Sequence, residues 1–120
     1  PAEINATINS AMNYPHKKLV IIFQPHTYTR TKAFLKDFAD VLKRADLVIL
    51  PDIYAARETD TLGISSKYIA DLINAAGTEC IYEPDFDKIC QIILDRCQKG
   101  DLVLTMGAGN VVDIADRLTR

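Results

Sequence analysis

Four short runs of nearly unbroken apolar residues limit the folds open to this chain more than any other feature. They are LVIIF (19–23), LVILP (47–51), TECIY (78–82) and LVLTM (102–106). Three of them show continuous hydrophobicity in place of in–out alternation. That pattern marks strands covered on both faces, as in parallel sheets wrapped by helices.

The segments between these runs repeat at helical spacing. Phe34, Leu35, Phe38 and Leu42 form one stripe. Ile69, Leu72, Ile73 and Ala76 form another, with Ser65 or Ser66 as its start and Gly77 as its stop. Asp85 opens a third helix carrying Ile89, Ile93 and Cys97, and Asn110 caps a last one with Val111, Ile114, Ala115 and Leu118. Ahead of the first strand, Ile4, Ile8, Ala11 and Met12 share one side. A helix followed by four strand–helix units predicts right-handed crossovers. The expected fold is α/β: a Rossmann-like, doubly wound, mainly parallel sheet with helices on both faces. Residues 1–120 are read as a single domain, long enough to bury a sizeable core.

Several function classes are disfavoured at once. A formal net charge of −2 gives no bulk attraction to nucleic acid or to an anionic membrane surface. No apolar run approaches the roughly 20 residues of a membrane span, and no signal peptide is visible, so the expected location is the cytoplasm. Cys80, Cys90 and Cys97 lie in apolar segments without a CxxC or Cys/His pairing. They read as buried thiols in a reducing compartment, not as zinc ligands. With His16 and His26 as the only histidines, no histidine-rich metal site can be built, and no metal is expected. Neither GxxxxGK[ST], GxSxG nor HExxH occurs. The chain therefore reads as a domain that contributes a ligand-facing edge, not as a complete catalytic machine.

Parallel sheets bind ligands beyond the carboxyl ends of their strands, and three loops there carry polar chemistry. FQPHTYTRTK (23–32) follows the first strand. Its Arg30 offers a permanent charge and a fork suited to carboxylate or phosphate, and His26 can donate, accept or titrate near neutrality. Thr27, Tyr28 and Thr29 add hydroxyls beside a helix N-terminus that favours anions. The same residues also admit a plainer reading, and capping is the commoner use. In that reading Thr27 or Thr29 is an N-cap, His26 an ordinary loop histidine and Arg30 a surface cation. The second loop, DIYAARETDTLGI (52–64), is long for so small a domain. Its Asp52 and Tyr54 serve either a ligand or the loop backbone. The third, TMGAGN (105–110), sets Gly107, Gly109 and Asn110 between a strand and a helix, for tight turning or close approach of a ligand. It lacks the third glycine or alanine of a dinucleotide fingerprint, having Val112 there.

FQPHTYTRTK, then Asp37 and Phe38, then LPDIYAARE and TMGAGN, in register with PAEI at the start, resembles a known family. The resemblance is to the C-terminal domain of the Mur ligases of bacterial cell-wall synthesis, in particular the L-alanine-adding ligases. It covers essentially the whole chain. It implies a three-domain enzyme from which residues 1–120 are the third domain, with the N-terminal and central domains missing. It implies an ATP- and magnesium-dependent reaction joining L-alanine to UDP-N-acetylmuramate through an acyl phosphate, with ATP and Mg held mainly by the central domain. The 120-residue piece alone would then be inactive. The resemblance carries His26 and Arg30 over as residues facing the incoming amino acid. Some relatives have arginine where this chain has Thr27, so Arg30 would take the carboxylate with help from a threonine hydroxyl. Asp52, Tyr54, Gly107, Gly109 and Asn110 would border the interdomain cleft. Two alternatives are another Mur-type amino-acid ligase and a freestanding α/β binding module; a receiver-like module would need an acidic cluster at the strand ends.

Overall fold

The computed structural model describes residues 2–107. Helix α1 (Ala2–Met12) precedes strand β1 (Leu19–Gln24). Two short helices, α2 (Tyr28–Ala33) and α3 (Leu35–Leu42), lead to β2 (Leu47–Leu50). Then come α4 (Ser66–Ala75), β3 (Glu79–Tyr82), α5 (Phe86–Arg96) and β4 (Leu102–Gly107). The four strands form one sheet in the order β3-β2-β1-β4, and every pairing is parallel. The fold class expected from the sequence is the one observed. The expected last helix, with its Asn110 cap, lies outside the described residues, as do Gly109 and Pro1.

The two faces of β1 divide the core. Leu19, Ile21 and Phe23 point into one cluster with Ile4 and Ile8 of α1, Phe38 and Leu42 of α3, and Ile69 and Ile73 of α4. Val20 and Ile22 point into a second, with Leu47, Ile49 and the α5 residues Ile89 and Ile93. This alternation inside a continuous apolar run is what a doubly covered strand requires. The chain steps from β1 to β2 to β3 in one direction, then reverses to lay β4 on the other side of β1. A right-handed crossover that reverses direction passes over the opposite face, which is why α5, among the described helices, is the one that covers the second cluster. The reversal creates a switch point between the carboxyl ends of β1 and β4.

Local signals set most boundaries. Ser65 caps α4, its hydroxyl accepting from the Lys67 amide, and Asp85 caps α5 by accepting from the Asp87 amide at 2.8 Å. Gly77 follows α4 at φ 95°, a left-handed geometry suited to glycine. Two expectations shift. The stripe over 34–42 is not one helix: the backbone breaks at Phe34 (φ −117°, ψ 23°), leaving its ring exposed while Phe38 and Leu42 stay buried. On α4 the buried face is Ser66, Ile69, Ala70 and Ile73, with Leu72 and Ala76 exposed. Ser66 shares that face at three and four residues before Ile69 and Ala70, and its buried hydroxyl is satisfied by donating to the Pro51 carbonyl at 2.6 Å. On α1, Met12 is exposed beside buried Ile8 and Ala11.

Candidate functional site

Beyond the end of β1 the chain is held in an unusual backbone state. Pairing with the β2 side continues past the strands: the Tyr54 amide donates to the Pro25 carbonyl and the Thr27 amide to the Tyr54 carbonyl, each at 2.8 Å. These bonds form an isolated parallel bridge between His26 and Tyr54, whose rings stack with centroids 5.9 Å apart. Thr27 then adopts φ 61°, ψ 148°, a region that β-branched residues scarcely enter. Four hydrogen bonds keep it there. Besides its amide bond to Tyr54, its hydroxyl oxygen accepts from the Arg30 amide, and its carbonyl accepts from the amide and the hydroxyl of buried Thr31. The turn swings α2 out so that Arg30 faces the switch point.

The N-terminus of α2 is occupied from within the chain. The Glu58 carboxylate accepts from the amides of Tyr28 and Thr29 and from the Thr29 hydroxyl. The hydroxyl bond, helped by the two amides, holds the Glu58 carboxyl below its usual 4.5, against a partial opposing effect of desolvation. Sequence reading passed over Glu58, although an acid in a long loop opposite a threonine-rich helix start was a usable signal.

A cavity of about 460 Å³ opens at the switch point. His26 and Arg30 from the loop after β1, Met106 and Gly107 of β4, Glu3 and Thr7 of α1, and Phe23 and Phe38 are among the residues that line it. Arg30 is exposed, forms no ion pair among the described residues, and lies over the Phe34 ring at 5.9 Å. At Gly107 (φ 118°) a Cβ would sit 2.2 Å from the Gln24 carbonyl oxygen, so only glycine lets β4 end this close to β1. The structure thus brings His26, Arg30 and Gly107 together. Thr27, Tyr28, Asp52 and Tyr54 stand outside the cavity lining: Thr27 and Tyr28 serve the α2 turn, and Tyr54 stacks on His26. Asp52 accepts from the Tyr82 hydroxyl through its carboxylate and from Gln24 Nε2 through its carbonyl. That hydrogen bond is the main reason the Tyr82 phenol is pushed up to about 12. Gln24 is itself buried, and its Oε1 has no hydrogen-bond partner among the described residues.

Acidic groups elsewhere serve the framework. Asp46 accepts from the Leu19 amide at 2.7 Å, and Asp101 accepts from Gln98 and Lys18, all at the amino ends of strands. They are therefore not the acidic cluster a receiver module would present. Among the described residues no group of three or more His, Cys, Asp or Glu could hold a metal ion, and no helix is long and apolar enough to cross a membrane.

Fold and site together define an open parallel α/β domain of Rossmann-like type, with a cavity at its topological switch point that Arg30 and Glu3 both line. Residues 1–109 match the family described as Mur ligase, glutamate ligase domain, and the chain belongs to the Mur ligase family. It is 57% identical over its full length to a UDP-N-acetylmuramate–L-alanine ligase of Agathobacter rectalis, covering 26% of that protein. It is 52% identical over 98% of its length to the ligase of the same name from Caldanaerobacter subterraneus subsp. tengcongensis, covering 25%. The solved structure of the UDP-N-acetylmuramate–alanine ligase MurC of Thermotoga maritima superposes with a TM-score of 0.76 over 99% of this chain and 24% of that one, at 24% identity, a likeness of fold. The chain spans about a quarter of the length of the relatives it matches.

Proposed function

We propose that residues 1–120 are the C-terminal, amino-acid-binding and cleft-closing domain of an ATP-dependent ligase that joins L-alanine to UDP-N-acetylmuramate in the cytoplasm. The observation that carries this reading is the Arg30 guanidinium on the switch-point cavity, in no ion pair among the described residues, with His26 in the same lining. A guanidinium in a concave site is suited to the carboxylate of a small amino acid. His26, stacked on Tyr54, supplies a hydrogen-bonding ring held in one orientation. Tyr28, Thr27, Asp52 and Tyr54 support the loop that presents them, and Gly107 keeps the opposite wall open.

The sequence has no phosphate-gripping loop of the GxxxxGK[ST] kind, so in this reading ATP and Mg are held mainly by the central domain of the longer enzyme. The domain by itself is then inactive, and its contribution is to hold and orient the amine nucleophile as the cleft closes.

The test is steady-state kinetics on the full-length protein. Phosphate release is expected only with ATP, UDP-N-acetylmuramate and L-alanine all present. Arg30→Ala should lower kcat/KM for L-alanine by roughly 10- to 150-fold, the loss of a charge-assisted bond. Unchanged kinetics in that variant would remove Arg30 from the site. A panel of other amino acids separates this reading from a family member of different specificity: preference for any of them over L-alanine contradicts it.

A further inference from the structure

Glu3 and Arg30 bring opposite charges into the same cavity, yet neither enters an ion pair among the described residues. Glu3 is exposed on the first turn of α1, where a carboxylate is favoured by the helix dipole alone. That preference does not account for its lining the same cavity as a guanidinium that has no ion pair among the described residues. Nor does Glu3 suit a site built for a plain anion, because its charge would repel a phosphate or a second carboxylate. The same lining includes buried Ile4, Phe23 and Phe38, the two rings packed with centroids 5.2 Å apart. A cavity whose lining holds a guanidinium, a carboxylate and apolar side chains matches a zwitterion that carries a short apolar side chain.

Building on the reading of the site given above, we propose that Glu3 is the ammonium-binding residue of this cavity, opposite Arg30 as its carboxylate-binding residue. The pair would select an α-amino acid over carboxylic acids and over dianions, and fix which end of the substrate points out of the domain. α1 is then part of the substrate site as well as of the core, with Ile4 and Ile8 turned inward while Glu3 and Thr7 turn to the cavity.

The experiment is a comparison of Michaelis constants in the full-length protein for all three substrates. Glu3→Gln, which keeps size and shape, is expected to raise KM for L-alanine about five- to tenfold while those for ATP and UDP-N-acetylmuramate stay within about twofold, as for loss of one charge-assisted contact. An L-alanine KM within about twofold of wild type overturns the assignment, and if Arg30→Ala still weakens L-alanine, the amino-acid site itself stands. If Arg30→Ala is also without effect, the reading of the whole site falls. Should Glu3→Gln disturb all three substrates, the wild-type enzyme decides. Propionate, which has the carboxylate and methyl group but no ammonium, should inhibit with a constant at least about tenfold above the L-alanine KM. Equal binding of the two would show that no ammonium subsite exists.

Discussion

The carboxylate of Glu58 lies on the first turn of α2, accepting from the Thr29 amide at 3.2 Å and from the Thr29 hydroxyl, across 29 residues of sequence. An anion at a helix start is favourable because the first amides have no partner within the helix and the dipole is positive there. Here the protein supplies that anion itself, and among the described residues that line the cavity the Arg30 side chain is in no ion pair.

This relationship carries a pH dependence of known sign. The Glu58 carboxyl is held below 4.5 in the folded state, so its stabilising contribution is complete above that value and is lost as pH falls through the lowered folded one. Urea unfolding of wild type and Glu58→Gln is expected to show a lower midpoint for the variant at pH 7. The gap should narrow as the pH is brought well below 4.5. A gap that is constant with pH would contradict the assignment.

Thr27 is held at a φ of 61° by its neighbours, at a cost of about 1–3 kcal/mol. Glycine relieves that cost and loses only a few tenths of a kcal/mol as a cap, whereas alanine keeps the strain and loses the cap. Thr27→Gly is therefore expected to be more stable than Thr27→Ala by about 1–2 kcal/mol, as read from denaturation midpoints. The reverse order would mean the positive φ is not real.

Gly107→Ala places a methyl group 2.2 Å from the Gln24 carbonyl oxygen at a backbone angle that disfavours any side chain. The end of β4 has to move away from β1. The expected result is a loss of about 1–3 kcal/mol in stability, together with weaker L-alanine use, since Gly107 borders the cavity. Wild-type stability and kinetics in this variant would rule out the close approach.

Cys80 is buried against α4 and its thiol is pushed up to about 12, chiefly by desolvation. Only thiolate reacts readily with maleimide or iodoacetamide. Native protein at pH 8 is expected to leave Cys80 unmodified, with labelling appearing only on denaturation. Mass-spectrometric detection of Cys80 adducts in folded protein at a rate like that of a free thiol would contradict its placement.

The four strands, a helix start at Ser65 or Ser66, the cap at Asp85 and the stop at Gly77 were all legible in the sequence. Each is dictated within a few residues by side-chain periodicity or by one side chain meeting a nearby amide. The polar loop after β1 was legible too, because so many hydrogen-bonding groups following an apolar run have nowhere to go except a sheet edge. The break at Phe34 was not, since Phe34 keeps helical spacing with Phe38 and only the packing of α3 on the sheet turns its ring outward. Nor was the burial of Ser66 on the inner face of α4 with Ile69, Ala70 and Ile73, which depends on its hydroxyl reaching the Pro51 carbonyl.

What the sequence by itself determined is the class of fold and the polar loop after the first strand, because local pattern and strand hydrophobicity do not depend on distant partners. What only the tertiary structure decided is the strand order β3-β2-β1-β4, the capture of the α2 start by Glu58, and the placing of Glu3 and Arg30 on one cavity. Those arise from contacts between segments far apart in the chain, fixed by how helices cover both faces of a twisted sheet, and no short stretch of residues encodes them.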